Sequence, residues 1–461
     1  MLFYWPMSHY SQEHTMDCKL RIVIEKVDPK TNKIINKTTV DSFDIHKPES
    51  ITEVGLRHRE QITLLKRIQQ KVVDEQYLIM SDEPKKCPKC KVMLNKNGYK
   101  QSDFHAVFSD HKIKVQKHTC PICHESQVPS IKSLFGTSIH PDLYKLQCEM
   151  GSAFSFYKSE CQLANLCQEK REINNHQRIK RTVNVVGEAL FNISVKNQSS
   201  THKAPSLIVQ IDGGHIKDKA LEKRSFEALA AKIYRPESVI KKGKRPIIKD
   251  KVCVASAKND HLKSIKKLIE SAAKRQGMHS GTKITIIADG AKNCWQATQV
   301  LEKDCSNIEY ILDWFHIAKK FEPLLNMNNI LDENKKEIEK IKWEIWNGKH
   351  EKAILNLTYL IQNNDDENIV SKLKGISIYL KENKAQLCHY SEREKQGLLF
   401  TSHVAESTVE HLINERHKRK QKMQWTRESA DNVLQIRASI ASNEWLKNWE
   451  SAVAQSIQKA A

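Results

Sequence analysis

The sequence predicts a multidomain α/β protein, and three observations support this class. The chain has 461 residues, which is too long for one ordinary core and indicates two to four domains. Between residues 206 and 325, apolar runs rich in β-branched residues alternate with segments of helical periodicity, a pattern typical of a mixed sheet with helices on its faces. Upstream, two C-x-x-C pairs predict a small metal-bound domain.

The composition indicates a nucleic acid as partner. Lys and Arg number 75 against 55 Asp and Glu, so the formal charge is +20, which favours an extended polyanion over a membrane surface or a ribosome. The apolar start of the chain lacks the basic residues of a signal peptide, and no run of about 18 apolar residues occurs. We therefore expect a cytoplasmic, nucleoid-associated protein whose twelve cysteines are thiols or metal ligands.

Residues 1–80 are predicted to form a small α+β unit. Alternation in residues 20–24, turn formers at 28–33 and a second extended run indicate a hairpin. Helical spacing over residues 56–78 predicts a helix. No motif in this unit indicates a function.

Residues 81–135 contain the two C-x-x-C pairs and are predicted to form a zinc-ribbon-like domain. Two knuckles of this kind complete a four-thiolate site for structural Zn²⁺, with a redox pair as the alternative. The 29 residues between the pairs exceed the usual spacing, so a long hairpin or insertion must fill the gap. The predicted ligands are Cys87, Cys90, Cys120 and Cys123.

Residues 136–200 have helical periodicity, with breaks expected near Ser159 and Asn174. Three helices of this length suit a helix-turn-helix whose last helix directs Arg178, Lys180 and Arg181 toward DNA. A plain three-helix connector explains the same pattern, and the sequence does not choose between the two.

Residues 201–325 place aspartates where apolar runs stop. Asp212 is expected at the end of a strand that begins at residue 206, Asp289 after a strand over 283–288, and Asp313 after a strand over 308–312. An isolated Asp-Gly pair is explained by a turn. Three such positions in a basic chain, followed by a helix that carries glutamates, favour clustered oxygen ligands for Mg²⁺ or Mn²⁺.

These acids resemble the catalytic residues of the aspartate-aspartate-glutamate (DDE) transposases of bacterial insertion sequences, close to the Mutator-like group and its Kra type. The resemblance covers about residues 87–425 and includes a D-x-x-H pair, Asp313 and His316. In this group the third acid begins a pattern like E-S-x₈-R-x-K followed by Met and Trp. The matching positions here are Asp212, Asp289, Glu406, Ser407, Arg416, Lys418, Met423 and Trp425.

The resemblance implies an RNase H-like catalytic core, formed by residues 201–325 and 401–461 and interrupted by an all-helical insertion over 326–400. It further implies two metal ions held by Asp212, Asp289 and Glu406, with Asp313 and His316 near the scissile phosphate. The reaction would be cleavage at the element ends followed by strand transfer in DNA transposition. Glu410 shares a helix face with Glu406, so spacing alone leaves the third acid open.

The expected partners are double-stranded DNA, as terminal repeats and target, and further copies of the chain in a DNA-bound homo-oligomer. A basic run is expected to contact phosphates, although a solvated basic face has the same pattern. Two other functions stay open: an inactive, transposase-derived DNA-binding protein, and an RNase H-like nuclease or resolvase. The basic run comprises Arg416, Lys418, Arg419, Lys420 and Lys422.

Overall fold

The computed structural model divides the chain into two compact units. Unit 1 comprises residues 1–143 and 160–174, and unit 2 comprises residues 144–159 and 175–461. No helix in the described part of the chain is long and apolar enough to cross a bilayer. The structure describes residues 18–81, 85–196, 200, 202–220, 224–242, 245–327, 331–402, 408–418 and 423–460.

Unit 1 begins with the predicted hairpin, formed by β1 (Cys18–Val27) and β2 (Ile34–Ile45). Asp28 closes its turn, because one carboxylate oxygen accepts the backbone N–H groups of Lys30 and Thr31. The predicted helix follows as α1 (His58–Ser81). Both elements are therefore confirmed.

Two antiparallel strands, β3 and β4, fill the gap between the cysteine pairs, and β5 follows the second pair and completes a three-stranded sheet in the order β3-β4-β5. One face of α1 packs on β4 and joins a small core formed by Val73, Tyr77, Ile113, Val115 and Ile131. The long hairpin that the spacing requires is therefore present. The elements are β3 (Asn95–His105), β4 (Asp110–Thr119), β5 (Ser126–Gln127) and the short helix α2 (Ile131–Phe135).

Three helices follow, as predicted, but one break lies elsewhere. Ser159 is buried inside the second helix, where its hydroxyl donates to the carbonyls of Met150 and Ser155. A serine that satisfies its hydroxyl in this way does not interrupt a helix, and the break falls instead at residues 154–155. The helices are α3 (Pro141–Ala153), α4 (Phe156–Cys167) and α5 (His176–Lys196).

The centre of unit 2 is a five-stranded mixed sheet in the order β10-β7-β6-β11-β12. Strands β6, β7 and β10 are antiparallel neighbours, whereas β11 and β12 run parallel to β6. A two-stranded ribbon, β8-β9, forms a separate sheet that the sequence pattern did not predict. The strands are β6 (Ser206–Lys217), β7 (Ser225–Tyr234), β8 (Val239–Lys242), β9 (Arg245–Ile248), β10 (Val252–Ser256), β11 (Lys283–Ala288) and β12 (Ile308–Leu312).

Helices cover both faces of this sheet. One face is buried under α5, α6 (Lys263–Arg275) and α7 (Lys292–Thr298), with a core of Val, Ile, Leu and Ala side chains. The other face packs against α8 (Trp314–Leu325) and the predicted helical insertion, in which Tyr390 donates a hydrogen bond to the carbonyl of Leu312. The insertion comprises α9 (Asp332–Trp346), α10 (His350–Gln362), α11 (Glu367–Glu382) and α12 (Tyr390–Lys395).

The chain then returns to the sheet. A π-helical turn over Glu410–Asn414 continues into α13 (Glu415–His417) and contacts β6 and β7. The last two helices, α14 (Arg427–Ala441) and α15 (Trp445–Ala460), pack on α5, and α14 also packs on β10. The mixed α/β class is therefore confirmed.

Candidate functional site

The three predicted aspartates lie in one cavity of unit 2, at the edge where the parallel strands stop. The sequence predicted Asp212 at the end of its strand, and this prediction is wrong, because β6 continues to Lys217. Its parallel pairing with β11 stops one residue earlier, at Ile211 and Ala288, whereas the antiparallel pairing with β7 continues. The Asp-Gly signal therefore marks the end of the parallel ladder and not the end of the strand.

Asp289 follows β11 in a tight turn. Gly290 has φ +94°, and a Cβ at this position would lie 2.9 Å from atoms of Leu312, Tyr379 and Asn383. One Asp289 carboxylate oxygen accepts the N–H of Ala291 (3.0 Å), and the Tyr379 hydroxyl donates to the Asp289 carbonyl (2.7 Å). The insertion thus holds the turn that presents this carboxylate.

Asp313 is the most constrained of the three acids and is only 1% exposed. It caps α8, since one oxygen accepts the N–H of Phe315 (3.0 Å). The N–H and hydroxyl of Ser402 donate to its two oxygens. His316 Nε2 lies 3.7 Å from Asp313 Oδ2, so the D-x-x-H pair is in contact within the cavity.

The surroundings of Asp212 disfavour its charge. Burial and then the Asp289 carboxylate raise the pKa of Asp212, while His316 opposes this shift. A cation beside the half-buried Asp212 carboxylate would oppose this shift, because an opposite charge favours the ionised form. The cavity has a volume of about 20 Å³, which accommodates roughly one water-sized particle.

Four further polar residues of the described lining were not predicted as site residues: Gln210, Lys232, Ser402 and Thr408. Gln210 and Lys232 pair across β6 and β7 and are buried. Each is the single long polar side chain inside an otherwise apolar run of its strand. A polar residue in such a run could have been used to predict a polar site at this part of the sheet.

The third acid of the resemblance, Glu406, lies outside the described residues. Ser402 and Thr408, which flank it in the sequence, both line the cavity. Glu410 is absent from the described lining, and its carboxylate accepts a hydrogen bond from Asn414 (2.8 Å).

The predicted DNA-contacting residues occupy different environments. Arg178 and Arg181 are exposed on α5, whereas Lys180 is half-buried. Lys418 is exposed, but Arg416 is only 2% exposed, unlike the surface phosphate contact that the basic run predicts. The other three predicted contacts, Arg419, Lys420 and Lys422, lie outside the described residues.

In unit 1, the four predicted cysteines converge. Their sulfur atoms lie within 4.8 Å of one another, and Cys87 Sγ is 3.6 Å from Cys123 Sγ. Backbone N–H groups of Cys123 and Ile122 point at Cys120 Sγ and lower the pKa of this thiol to about 7. This cluster can hold a metal such as zinc. Among the described residues, no second group of three or more His, Cys, Asp or Glu ligand atoms is this compact.

Comparison with known proteins returns no match, either to a protein-family model or to a curated protein.

Proposed function

We propose that the protein is a DDE-type DNA transposase that cleaves the ends of an insertion element and joins them to target DNA. The observation that carries this proposal is the meeting of Asp212, Asp289, Asp313 and His316 in one cavity of a chain with net charge +20. They come from three separate segments of the chain and occur in the order of the family motif.

The sheet supports an RNase H-like core. Three antiparallel strands precede two strands that run parallel to the first, and the acids follow the paired ends of β6 and β11. An insertion of four helices separates this sheet from the segment that carries the third acid. This arrangement supports the split core that the resemblance implies.

Glu406 is the proposed third ligand. It stands four residues after Ser402 and two before Thr408, and both of these line the acidic cavity. Glu410, which already accepts a hydrogen bond from Asn414, is the weaker candidate.

The donor set fits Mg²⁺ or Mn²⁺, which prefer carboxylate oxygens. When bound, such ions would activate the attacking water or 3′-hydroxyl and stabilise the leaving oxygen. Asp313 has a different role, because Ser402 and the first turn of α8 occupy its oxygens. We assign it to positioning His316 toward the scissile phosphate.

We assign DNA binding to unit 1 together with basic residues of unit 2. In unit 1, structural Zn²⁺ is assigned to the four-cysteine cluster, and a ribbon-like role to the β3–β4 hairpin between the cysteine pairs. The exposed Arg178 and Arg181 of α5 and Lys418 would contact phosphates, together with the basic residues that follow Lys418 in the sequence.

The test uses the full chain with a plasmid that carries the DNA flanking its own gene. In Mg²⁺ or Mn²⁺, the wild type is expected to nick this DNA and join its ends. Asp212→Asn, Asp289→Asn and Glu406→Gln should each reduce cleavage at least 100-fold while DNA binding stays within about twofold. Removing a positioned group from such a site costs several kcal/mol of transition-state stabilisation.

Glu410→Gln is the matched control, because it makes the same change four residues from Glu406. It should cleave at close to the wild-type rate. Wild-type cleavage by any one of the three acid variants would show that the ligand assignment is wrong.

A further inference from the structure

Unit 2 has a second cavity, which we call the cationic pocket. Its volume is about 310 Å³, large enough for a phosphate group with its remaining hydration. Every ionisable side chain among its described lining residues is basic: Lys180 from α5, Lys219 and Arg416. Phe156 and Trp425 supply apolar walls.

The backbone around Trp425 builds one side of this pocket. Trp425 pairs with the end of β6, since its N–H donates to the Lys217 carbonyl (2.9 Å) and its carbonyl accepts the N–H of Lys219 (3.0 Å). Thr426 then caps the 15-residue helix α14, because its hydroxyl accepts the N–H of Ser429. The positive end of a helix therefore faces the same space as the three cations.

Arg416 is the unusual member of the lining. Its side chain is 2% exposed, its Nε donates to the carbonyl of Gly151 (3.1 Å), and its Cζ lies 4.6 Å from the centroid of the Trp425 ring. Among the described residues, Arg416 forms no ion pair with a carboxylate, and its Nη1 lies 3.8 Å from the sulfur of Met423. Burial and then Arg437 lower the pKa of Arg416 to about 9.

A buried guanidinium without an acidic partner is costly unless an anion supplies the missing charge. A second buried polar group lies beside Arg416, since the indole Nε1 of Trp425 has no hydrogen-bond partner among the described residues. Cationic side chains grouped at a helix N-terminus suit the oxygens of a phosphate.

We propose that the cationic pocket binds one phosphate group of a nucleic-acid strand, with Arg416, Lys180 and Lys219 as its cationic ligands. The proposal rests on the function proposed above, because the strand would be that of the DNA substrate.

A strand is favoured over a free phosphate because the positive lining continues. Beyond Met423, which the two cavities share, lies another cavity of about 310 Å³ with no acidic side chain among its described lining residues. Its cations are Lys217, Arg224 and Lys418, and two histidines, His215 and His417, also line it. Successive cationic cavities match the regularly repeated charge of a nucleic-acid backbone.

Calorimetric titration of the full chain in EDTA tests the pocket without any metal-dependent step. The probes are inorganic phosphate and a short single-stranded DNA oligonucleotide. The double variant Lys180→Gln/Lys219→Gln should bind phosphate at least tenfold more weakly. The binding constant of the variant for the oligonucleotide should also depend less on salt. The slope of log K against log salt should be shallower by roughly 0.7 for each phosphate that the variant no longer neutralises.

Lys372→Gln/Lys374→Gln is the matched control, since it removes the same charge from exposed positions of α11. An equal loss of phosphate affinity in the two double variants would overturn the pocket. Phosphate that binds but is not displaced by the oligonucleotide would overturn the assignment to a nucleic-acid strand.

Arg416→Lys provides a separate check, because it keeps the charge and removes the planar fork. The variant is expected to have an unchanged circular dichroism spectrum, which shows that it is folded, and a phosphate affinity that is several-fold lower than that of the wild type. An undiminished affinity would contradict a direct role of Arg416. Phosphate binding in a protein that never cleaves DNA would contradict only the transposase function. Cleavage without phosphate binding would contradict only the pocket.

Discussion

At the scale of single residues, unit 2 buries ionisable side chains in its last third. His417 is 2% exposed, its ring lies 4.6 Å from that of Trp425, and its Nδ1 donates to the Ile413 carbonyl (3.0 Å). Burial and then Arg416 lower the pKa of His417 to about 3. This side chain is therefore neutral in the folded protein at pH 7.

This histidine makes folding sensitive to acid. Its pKa is about 3 when folded and about 6.5 when unfolded, so between these values the unfolded chain binds more protons. Its contribution to the free energy of unfolding is fully present above about pH 6.5. Between about pH 6.5 and pH 3, this contribution falls by roughly 1.4 kcal/mol for each pH unit of acidification. Comparing unfolding of the wild type and His417→Gln at pH 7 and pH 5 should show a smaller loss in the variant.

The exposed His58 gives the control for this comparison. His58→Gln should keep the wild-type pH dependence. If His417→Gln and the wild type lose the same stability on acidification, the buried neutral histidine is not responsible.

At the scale of elements, close helix packing in unit 2 depends on a glycine. A Cβ on Gly187, within α5, would lie 2.4 Å from the backbone carbonyl oxygen of Asn432 on α14. Helix α14 also packs on β10 and cannot simply move away. The absence of a side chain at this position lets α5 approach α14.

Gly187→Ala is therefore expected to destabilise unit 2 by about 1–3 kcal/mol, because overpacking outweighs the gain in helix propensity. Gly375 is the matched control: it lies within α11, and a Cβ there meets no atom within 4 Å. Gly375→Ala should stabilise by about 0.5–1 kcal/mol. Chemical denaturation measures both, and changes of the same sign would contradict the packing argument.

At the scale of the whole molecule, two units with different chemistry share one chain. Unit 1 has a small core and a four-cysteine cluster, whereas unit 2 has two large apolar cores around its sheet. A small core of this kind commonly depends on a metal for its stability.

Loss of the metal should therefore affect unit 1 selectively. Cys87→Ser should abolish the roughly one zinc per chain that a four-thiolate site binds. It should also speed hydrogen exchange at the amides of Ile122 and Cys123, which contact Cys120 Sγ, and leave exchange in β6 and β11 unchanged. Cys18→Ser, at an exposed cysteine of the same unit, should retain the metal. A purified wild type without zinc would contradict this prediction.

Much of the fold was readable from the sequence because its signals are local. The strands β11 and β12 have the predicted bounds, since each is a short apolar run closed by a polar or turn-forming residue. The C-x-x-C spacing likewise identified all four cysteines of the cluster. The β8–β9 ribbon has no such contrast of apolar and polar residues, and the pattern did not predict it.

Local sequence determined which aspartates follow apolar runs, which cysteines form knuckles, and that the chain is strongly basic. Only the tertiary structure decided which of these groups meet. It placed Asp212 at the end of the parallel ladder inside a longer strand and turned Asp313 into a helix cap held by Ser402. It also buried Arg416 in a cavity, because burial and pairing depend on chain segments that are hundreds of residues apart.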